Sequence, residues 1–313
     1  MFDALPRTAF ALLAGSATIR RLASRYGMRR PKSFARRFIA GETVGEAIAV
    51  ARSIERQGLF VTLDALGESA VAVTAAADAT RSYVSIIGDL ERAGVAHNLS
   101  LNLSQLGLAV DRATSIDNLR RVLDAAQHAR FFVGIDMENS SHTDQTIETF
   151  EAVWNIGYRN VGLVVQAALR RSEADVRRLN DLRAGVRLVK GSFREPRAVA
   201  FQQKAEIDAA FLSLMRLLLA DGVSPVIATH DPALLDETKA VARARGLRPD
   251  QFEFQMRYGV RRDLQASLAA EGYRVRVYLP FGKEWFTYFM RRLGERPSNV
   301  GFVVRSLLRE RGR

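Results

Sequence analysis

From Gly41 onward the chain alternates short runs of β-branched and large apolar residues with polar turns and amphipathic stretches of helical period. Eight such runs read as strands: Leu59–Leu63, His97–Leu103, Phe131–Met137, Val161–Gln166, Val186–Lys190, Pro225–Thr229, Phe252–Met256 and Val275–Leu279. Each gap is too long for a hairpin and long enough for a helix, so consecutive strands should run parallel. Val44, Ala47, Ile48, Ala51 and Ile54 mark the inner face of one helix, opened by Thr43. Ser115-Ile-Asp-Asn reads as the opening of another, ahead of Leu119, Val122 and Leu123. Asp231-Pro232 places a capping acid before a proline at the first helical position. The expected fold is α/β, a (β/α)8 TIM-type barrel, which typically needs ~250 residues and leaves no sheet edge. An open doubly wound sheet is the alternative.

Composition narrows the class. Hydrophobic residues at 48% and charged residues at 26% describe a globular chain. The absence of cysteine excludes disulfides, thiol catalysis and cysteine-ligated metal centres. The net charge of +12 draws the surface toward anions, and the excess is uneven. Up to Ala40 the only acid is Asp3, against Arg7, Arg20, Arg21, Arg25, Arg29, Arg30, Lys32, Arg36 and Arg37. The apolar run Ala9–Ala14 is far too short to span a bilayer. Residues 1–40 therefore read as a retained basic helical arm rather than a targeting peptide, and residues 41–313 as the barrel.

In such barrels the strand C-termini carry the site. Polar residues end the strands here: Asp64 and Glu68, Asn102 and Gln105, Asp136 and Glu138, Gln166, Lys190, Thr229 with His230 and Asp231, Gln255, and Tyr278. Arg187 is the sharpest of the polar positions, because a cation inside a buried parallel strand needs an anion or a polarised acceptor; Asp136 is the nearest plausible internal carboxylate. After the last strand, Tyr288, Arg291, Arg292 and Glu295 fall at i, i+3, i+4, i+7, an aromatic and charged stripe where a helix normally keeps apolar residues. No phosphate-binding P-loop, Rossmann glycine turn or nucleophile elbow occurs. His97, His128 and His142 read as surface or satisfied core residues, and His230 as a candidate ligand-binding one.

Taken together, V-R-L-V-K-G-S-F, A-T-H-D, F-E-F-Q-M-R-Y-G and Y-L-P-F-G-K-E-W-F-T-Y-F-M-R-R-L-G-E-R-P resemble proline dehydrogenase, and the likeness extends from R-R-F-I-A-G-E-T to the C-terminal helix. The resemblance implies a barrel that holds FAD at the strand C-termini and passes a hydride from C5 of proline to flavin N5, giving Δ1-pyrroline-5-carboxylate. It implies that Arg187 lies beside N5 and that Met137, Gln166, Lys190, Gly191, Ser192, Thr229 and His230 bind the flavin. Asp136 matches an active-site acid, and Glu68 one that pairs with the substrate arginines. Arg291 and Arg292 match the pair that grips the proline carboxylate, with Tyr278 and Tyr288 walling the ring and Glu295 holding the arginines. Family members hand electrons to membrane quinones, which would suit a basic arm touching acidic lipid at the inner face of a cytoplasmic membrane.

Three positions depart from the family's pattern. Asn102 stands where a lysine is usual, Arg257 where an apolar residue is usual, and Phe193 where a tyrosine is usual. The first two put substrate choice in question, so oxidation of hydroxyproline or another cyclic imino acid competes with proline. A non-catalytic basic barrel binding membrane or nucleic acid is the reading from a different class.

Overall fold

The computed structural model describes residues 28, 35–95, 97–193, 195–288 and 290. Eight strands, β1 (Phe60–Ala65), β2 (Asn98–Leu101), β3 (Phe132–Ile135), β4 (Val161–Gln166), β5 (Gly185–Val189), β6 (Val223–Ala228), β7 (Glu253–Arg257) and β8 (Arg274–Phe281), form a closed parallel barrel in sequence order. The open-sheet alternative is excluded by the pairing of β1 with β8 over six residues, Phe60 with Arg276 through Ala65 with Phe281. The helices are α1 (Val44–Glu55), α2 (Val73–Ala93), α3 (Arg112–His128), α4 (Thr143–Asn155), α5 (Ser172–Asp181), α6 (Lys204–Asp221), α7 (Pro232–Ala244) and α8 (Arg262–Ala270).

Local chemistry explains where helices start. Thr43 and Glu46 form a reciprocal capping box at α1, and Asp231 accepts the Ala233 N–H ahead of Pro232 at α7. The third helix corrects the sequence reading. It opens at Arg112, capped by Asp111, whose carboxylate accepts the Thr114 N–H at 2.7 Å. Ser115 lies inside it and is fully buried, so the earlier Asx cap outcompeted the serine.

Period-two alternation decides what the barrel encloses. Val61, Leu63, Leu99, Leu101, Val133, Ile135, Val186, Leu188, Val275 and Val277 are buried in the apolar layer between strands and helices. A side chain such as Phe211 of α6, fully buried there, contributes roughly 1.5–3 kcal/mol by leaving water. The intervening positions face the barrel axis and are largely polar. Thr62 donates to Asn98 Oδ1 at 2.8 Å. Near the N-terminal end Arg276 grips Glu253 through Nε and Nη2 at 2.6 and 2.9 Å, and its Nη1 donates to the Val61 carbonyl at 3.0 Å. Burial alone would raise the pKa of Glu253, but the Arg276 hydrogen bonds and charge, then Arg274, outweigh it and hold the carboxylate below its usual range.

The segment before α1 and the end of β8 are tied together. The Ala40 N–H donates to the Pro280 carbonyl and the Gly282 N–H to that of Gly41, both at 2.9 Å. Met28, Ala35 and Ile39 pack with Trp285, Phe286 and Met290 in a second apolar cluster. Gly282 has φ +133°, and a Cβ there would lie 2.9 Å from the Leu66 carbonyl oxygen. That turn swings the chain from β8 into the helical residues Trp285–Tyr288, bringing Tyr288 over the barrel mouth. Arg291, Arg292, Glu295 and most of the basic arm lie outside the described residues.

Removing the Glu253 charge leaves Arg276 buried without its carboxylate, so Glu253→Gln should lower stability by about 3–5 kcal/mol. Urea denaturation followed by circular dichroism measures this, and an unchanged midpoint would show that the carbonyl of Val61 suffices.

Candidate active site

A cavity of about 800 Å³ opens at the C-terminal ends of the strands. Its floor is built on Arg187, which β5 points inward from the middle of the strand. The guanidinium forms an ion pair with Asp136, just beyond β3, and donates from Nη1 to Gln255 Oε1 at 3.0 Å and from Nη2 to Ser100 Oγ at 3.4 Å. Its Nε is buried with no acceptor among the described residues. Ser100 in turn donates to Asp136 Oδ1 at 2.9 Å, and the Tyr278 hydroxyl to Asp136 Oδ2 at 2.6 Å. The guanidinium carbon stands 5.1 Å from the Tyr278 ring centroid, a cation–π distance. Burial lowers the Arg187 pKa, with Tyr278 and Asp64 opposing that shift; a guanidinium beside a carboxylate keeps its proton. Burial, then the charge of Asp64, pushes the Tyr278 phenol well above its usual value, so it remains a donor.

The β4–β6 wall is a set of fixed polar groups. Gln166 donates from Nε2 to the carbonyls of Met137 and Glu138 at 3.2 and 2.7 Å, which turns its Oε1 toward Gly191. There φ is +96° and a Cβ would sit 2.9 Å from that oxygen, so the turn favours glycine on both counts. Lys190 Nζ is held by Asp208 Oδ1 of α6 at 2.6 Å and Asp231 Oδ2 at 3.1 Å. Asp231 also donates its N–H to Thr229 Oγ1 at 3.2 Å. His230 Nε2 accepts the Arg257 N–H at 2.8 Å, which places the proton of a neutral ring on Nδ1. Burial first, then Arg257, Arg261 and Lys190, push the His230 pKa down to about 3.

The other half of the cavity is lined from β7, β8, β1 and β2 by Arg257, Tyr278, Asp64, Glu68 and Asn102, with Glu284 and Tyr288 above. Charge divides across it. Asp64, Glu68, Asp136 and Glu138 stand on the β1–β3 side, whereas Arg187, Lys190 and Arg257 stand on the β5–β7 side together with one carboxylate, Asp231.

The structure brings together all the predicted site residues that it describes: Glu68, Asn102, Asp136, Met137, Gln166, Arg187, Lys190, Gly191, Ser192, Thr229, His230, Arg257, Tyr278 and Tyr288 line this one cavity. The predicted residues Arg291, Arg292 and Glu295 lie outside the described residues. His142 corrects the reading of it as surface or satisfied core: it lines the cavity, and its Nδ1 is buried without a partner among the described residues. Ser100 and Asp208 were missed. The polar period-two series Asn98, Ser100, Asn102 could have revealed the first, whereas Asp208 sits on a helix and only packing brings it to Lys190.

A (β/α)8 barrel with a deep, charge-divided cavity at its strand C-termini has the architecture of a barrel enzyme. The chain belongs to the proline dehydrogenase family of oxidoreductases, whose model, described as proline dehydrogenase, matches residues 47–305. It is 38% identical over 304 residues to proline dehydrogenase 1 of Bacillus subtilis (strain 168), covering 97% of this chain and 99% of the relative. It is likewise 38% identical over 313 residues to a proline dehydrogenase of Deinococcus radiodurans, covering 99% of this chain and 100% of that one. Among solved structures, proline utilization A from Bdellovibrio bacteriovorus, inactivated by N-propargylglycine, superposes with a TM-score of 0.78 at 26% identity. That match covers 83% of this chain but 32% of the longer protein.

Since the His230 value of about 3 lies below the ordinary 6.5, the unfolded chain takes up a proton that the folded chain refuses. The contribution of His230 to stability is therefore full above about pH 6.5 and is lost as pH falls toward 3. The urea midpoint should drop between about pH 7.5 and pH 5, and His230→Gln should shrink that drop; an equal drop in both proteins would assign it to other groups.

Proposed function

We propose that the protein oxidises L-proline to Δ1-pyrroline-5-carboxylate with FAD as resident cofactor and a quinone as final acceptor, in proline catabolism. The observation that carries this reading is the buried Arg187 guanidinium, fixed by Asp136, where the acidic and basic halves of the cavity meet.

The residues fit a flavin. The volume of about 800 Å³ suits a cofactor with a small substrate. Gly191 admits close approach to the β5 turn, Lys190 and the Nδ1–H of His230 supply donors, and Arg187 Nε is a buried donor without an acceptor among the described residues. When bound, the flavin supplies the hydride acceptor that no side chain provides. Arg187 keeps a positive charge at the floor, Asp136 with Ser100 and Tyr278 orients it, and Met137, Gln166, Ser192 and Thr229 complete the cofactor wall.

For the substrate, the reading assigns the carboxylate to Arg291 and Arg292, which lie outside the described residues; a guanidinium fork matches a carboxylate bidentately and stays charged at any working pH. In this reading Tyr278, Tyr288 and Asn102, which line the cavity, would surround the ring, and Glu68 would face the carboxylate-binding arginines. The acidic side of the cavity suits the ammonium. Loss of the C5 hydrogen with its electron pair and of the N–H proton leaves the C=N bond of the product.

Among the described residues no helix is long and apolar enough to cross a membrane. The basic arm of residues 1–40 would meet acidic lipid peripherally, at about 1 kcal/mol per basic residue near the surface, and bring a cytoplasmic enzyme to its quinone. Flotation with anionic vesicles should depend on those residues.

The purified protein should be yellow, and anaerobic proline should bleach its flavin spectrum. A preparation that stays colourless with added FAD would sink the cofactor assignment. Gly191→Val should strip flavin at least tenfold, read as the ratio of visible to ultraviolet absorbance, while Arg291→Lys should raise the proline Kd with flavin content intact.

A further inference from the structure

Lys190 reaches the cavity from a cluster of alternating charge. Its ammonium pairs with Asp208 Oδ1 at 2.6 Å and with Asp231 Oδ2 at 3.1 Å. Lys204, the first residue of α6, pairs with the same two carboxylates, with Asp208 directly and with Asp231 Oδ2 at 3.5 Å. Resting on the reading above that FAD is the resident cofactor, we propose that Lys204 is a positioning residue for it. Lys204 neutralises Asp208 and Asp231, so that Lys190 can turn its charge on the anionic pyrophosphate.

Place supports this division of labour. Lys190, Gly191 and Ser192 lead the chain out of β5, and with His230 and Asp231 they line the β5–β6 side of the cavity. Lys204 and Asp208 stand behind that wall, outside the cavity lining. An ammonium has three N–H donors, and among the described residues Asp208 and Asp231 face two of those on Lys190. Lys190 therefore lies between the carboxylates and anything anionic that enters.

Charge decides what the second lysine does. Burial alone would raise the pKa of Asp208 and of Asp231, but Lys190 and Lys204 outweigh it and hold both below the usual carboxylate range. Both acids are ionised at neutral pH. Among the described residues the cluster balances, two ammonium groups against two carboxylates. Without Lys204 it would carry net negative charge, which repels an anion in the cavity and holds Lys190 back. With Lys204 in place, a phosphate can draw on Lys190 while the carboxylates keep a cation of their own.

Helix stability does not account for the residue. The start of a helix favours acids over cations, and lysine ahead of aspartate is the weaker order for an i, i+4 pair. What Lys204 gains at this position is the pair of carboxylates that also hold Lys190.

The test titrates apoprotein of wild type, Lys204→Gln and Lys204→Arg with FAD and with riboflavin, which has the same ring system and no phosphate. Kd is read from flavin fluorescence at low and at high salt. The Lys204 side chain is 72% exposed, so water weakens its field, and Lys204→Gln should raise the FAD Kd about fivefold at low salt. Riboflavin should bind wild type and Lys204→Gln alike, and Lys204→Arg should restore most of the FAD affinity. The FAD difference should vanish in about 1 M salt, where charges are screened within about 3 Å. An unchanged FAD Kd in Lys204→Gln, equal losses for FAD and riboflavin, or a loss indifferent to salt would overturn the proposal. If riboflavin binds too weakly to measure, the salt dependence and the arginine variant decide. A wild type that binds no FAD would remove the cofactor assignment, and this role with it.

Discussion

A guanidinium placed in the middle of a parallel strand is the constraint around which the rest of this barrel is arranged. Arg187 cannot shed its proton, and moving it out of water costs several kcal/mol unless acceptors replace that water. The replacements come from β2, β7 and β8, and from Asp136 just beyond β3, through Ser100, Gln255, Tyr278 and the Asp136 carboxylate. Only closure of the sheet brings those positions to one point. Topology and site therefore support each other: an open sheet would leave β8 far from β3 and remove the Tyr278–Asp136 hydrogen bond. The apolar core that holds the molecule together is displaced outward, into the layer between strands and helices.

The same arrangement gives the cavity a field with direction. Four carboxylates gather at the ends of β1–β3, whereas three cations and Asp231 stand at those of β5–β7. A low-dielectric pocket with opposite charges on facing walls orients a dipolar ligand before any close contact forms. For an amino acid, the ammonium is drawn to one wall while anionic portions of a cofactor are drawn to the other. Neither wall is left as bare charge: Lys190 is backed by Asp208 and Asp231, and Asp136 by Arg187.

Strand order and helix alternation were legible because each strand keeps apolar residues at the alternate positions that face the helices, and all eight predicted runs contain observed strand residues. Arg187 was legible as a cation inside such a strand, which needs a partner when it is taken out of water. Helix starts were less so. Asp111 and Ser115 both resemble caps, and the choice between them was made by the turn at Gly107, φ +96°, whose carbonyl accepts the Asp111 N–H. Asp208 and His142 could not be read locally at all. Each belongs to a surface-like sequence; Asp208 reaches Lys190, and His142 the cavity, only because α6 and the segment leading into α4 pack where they do.

The seam between the two halves of the cavity depends on protonation. His230 ends one wall and Arg257 begins the next, and a hydrogen bond joins them, with imidazole Nε2 as acceptor. A protonated ring has two donors and no acceptor, so it would face the Arg257 N–H donor to donor. The burial and neighbouring cations that depress the His230 pKa thus keep intact the contact that fixes the β7 strand end. A neutral ring at this point also carries its proton on Nδ1, available to the cavity. Burial first, and the neighbouring cations after it, keep the ring neutral, and the Arg257 N–H then selects the tautomer that ties down β7 and carries its proton on Nδ1.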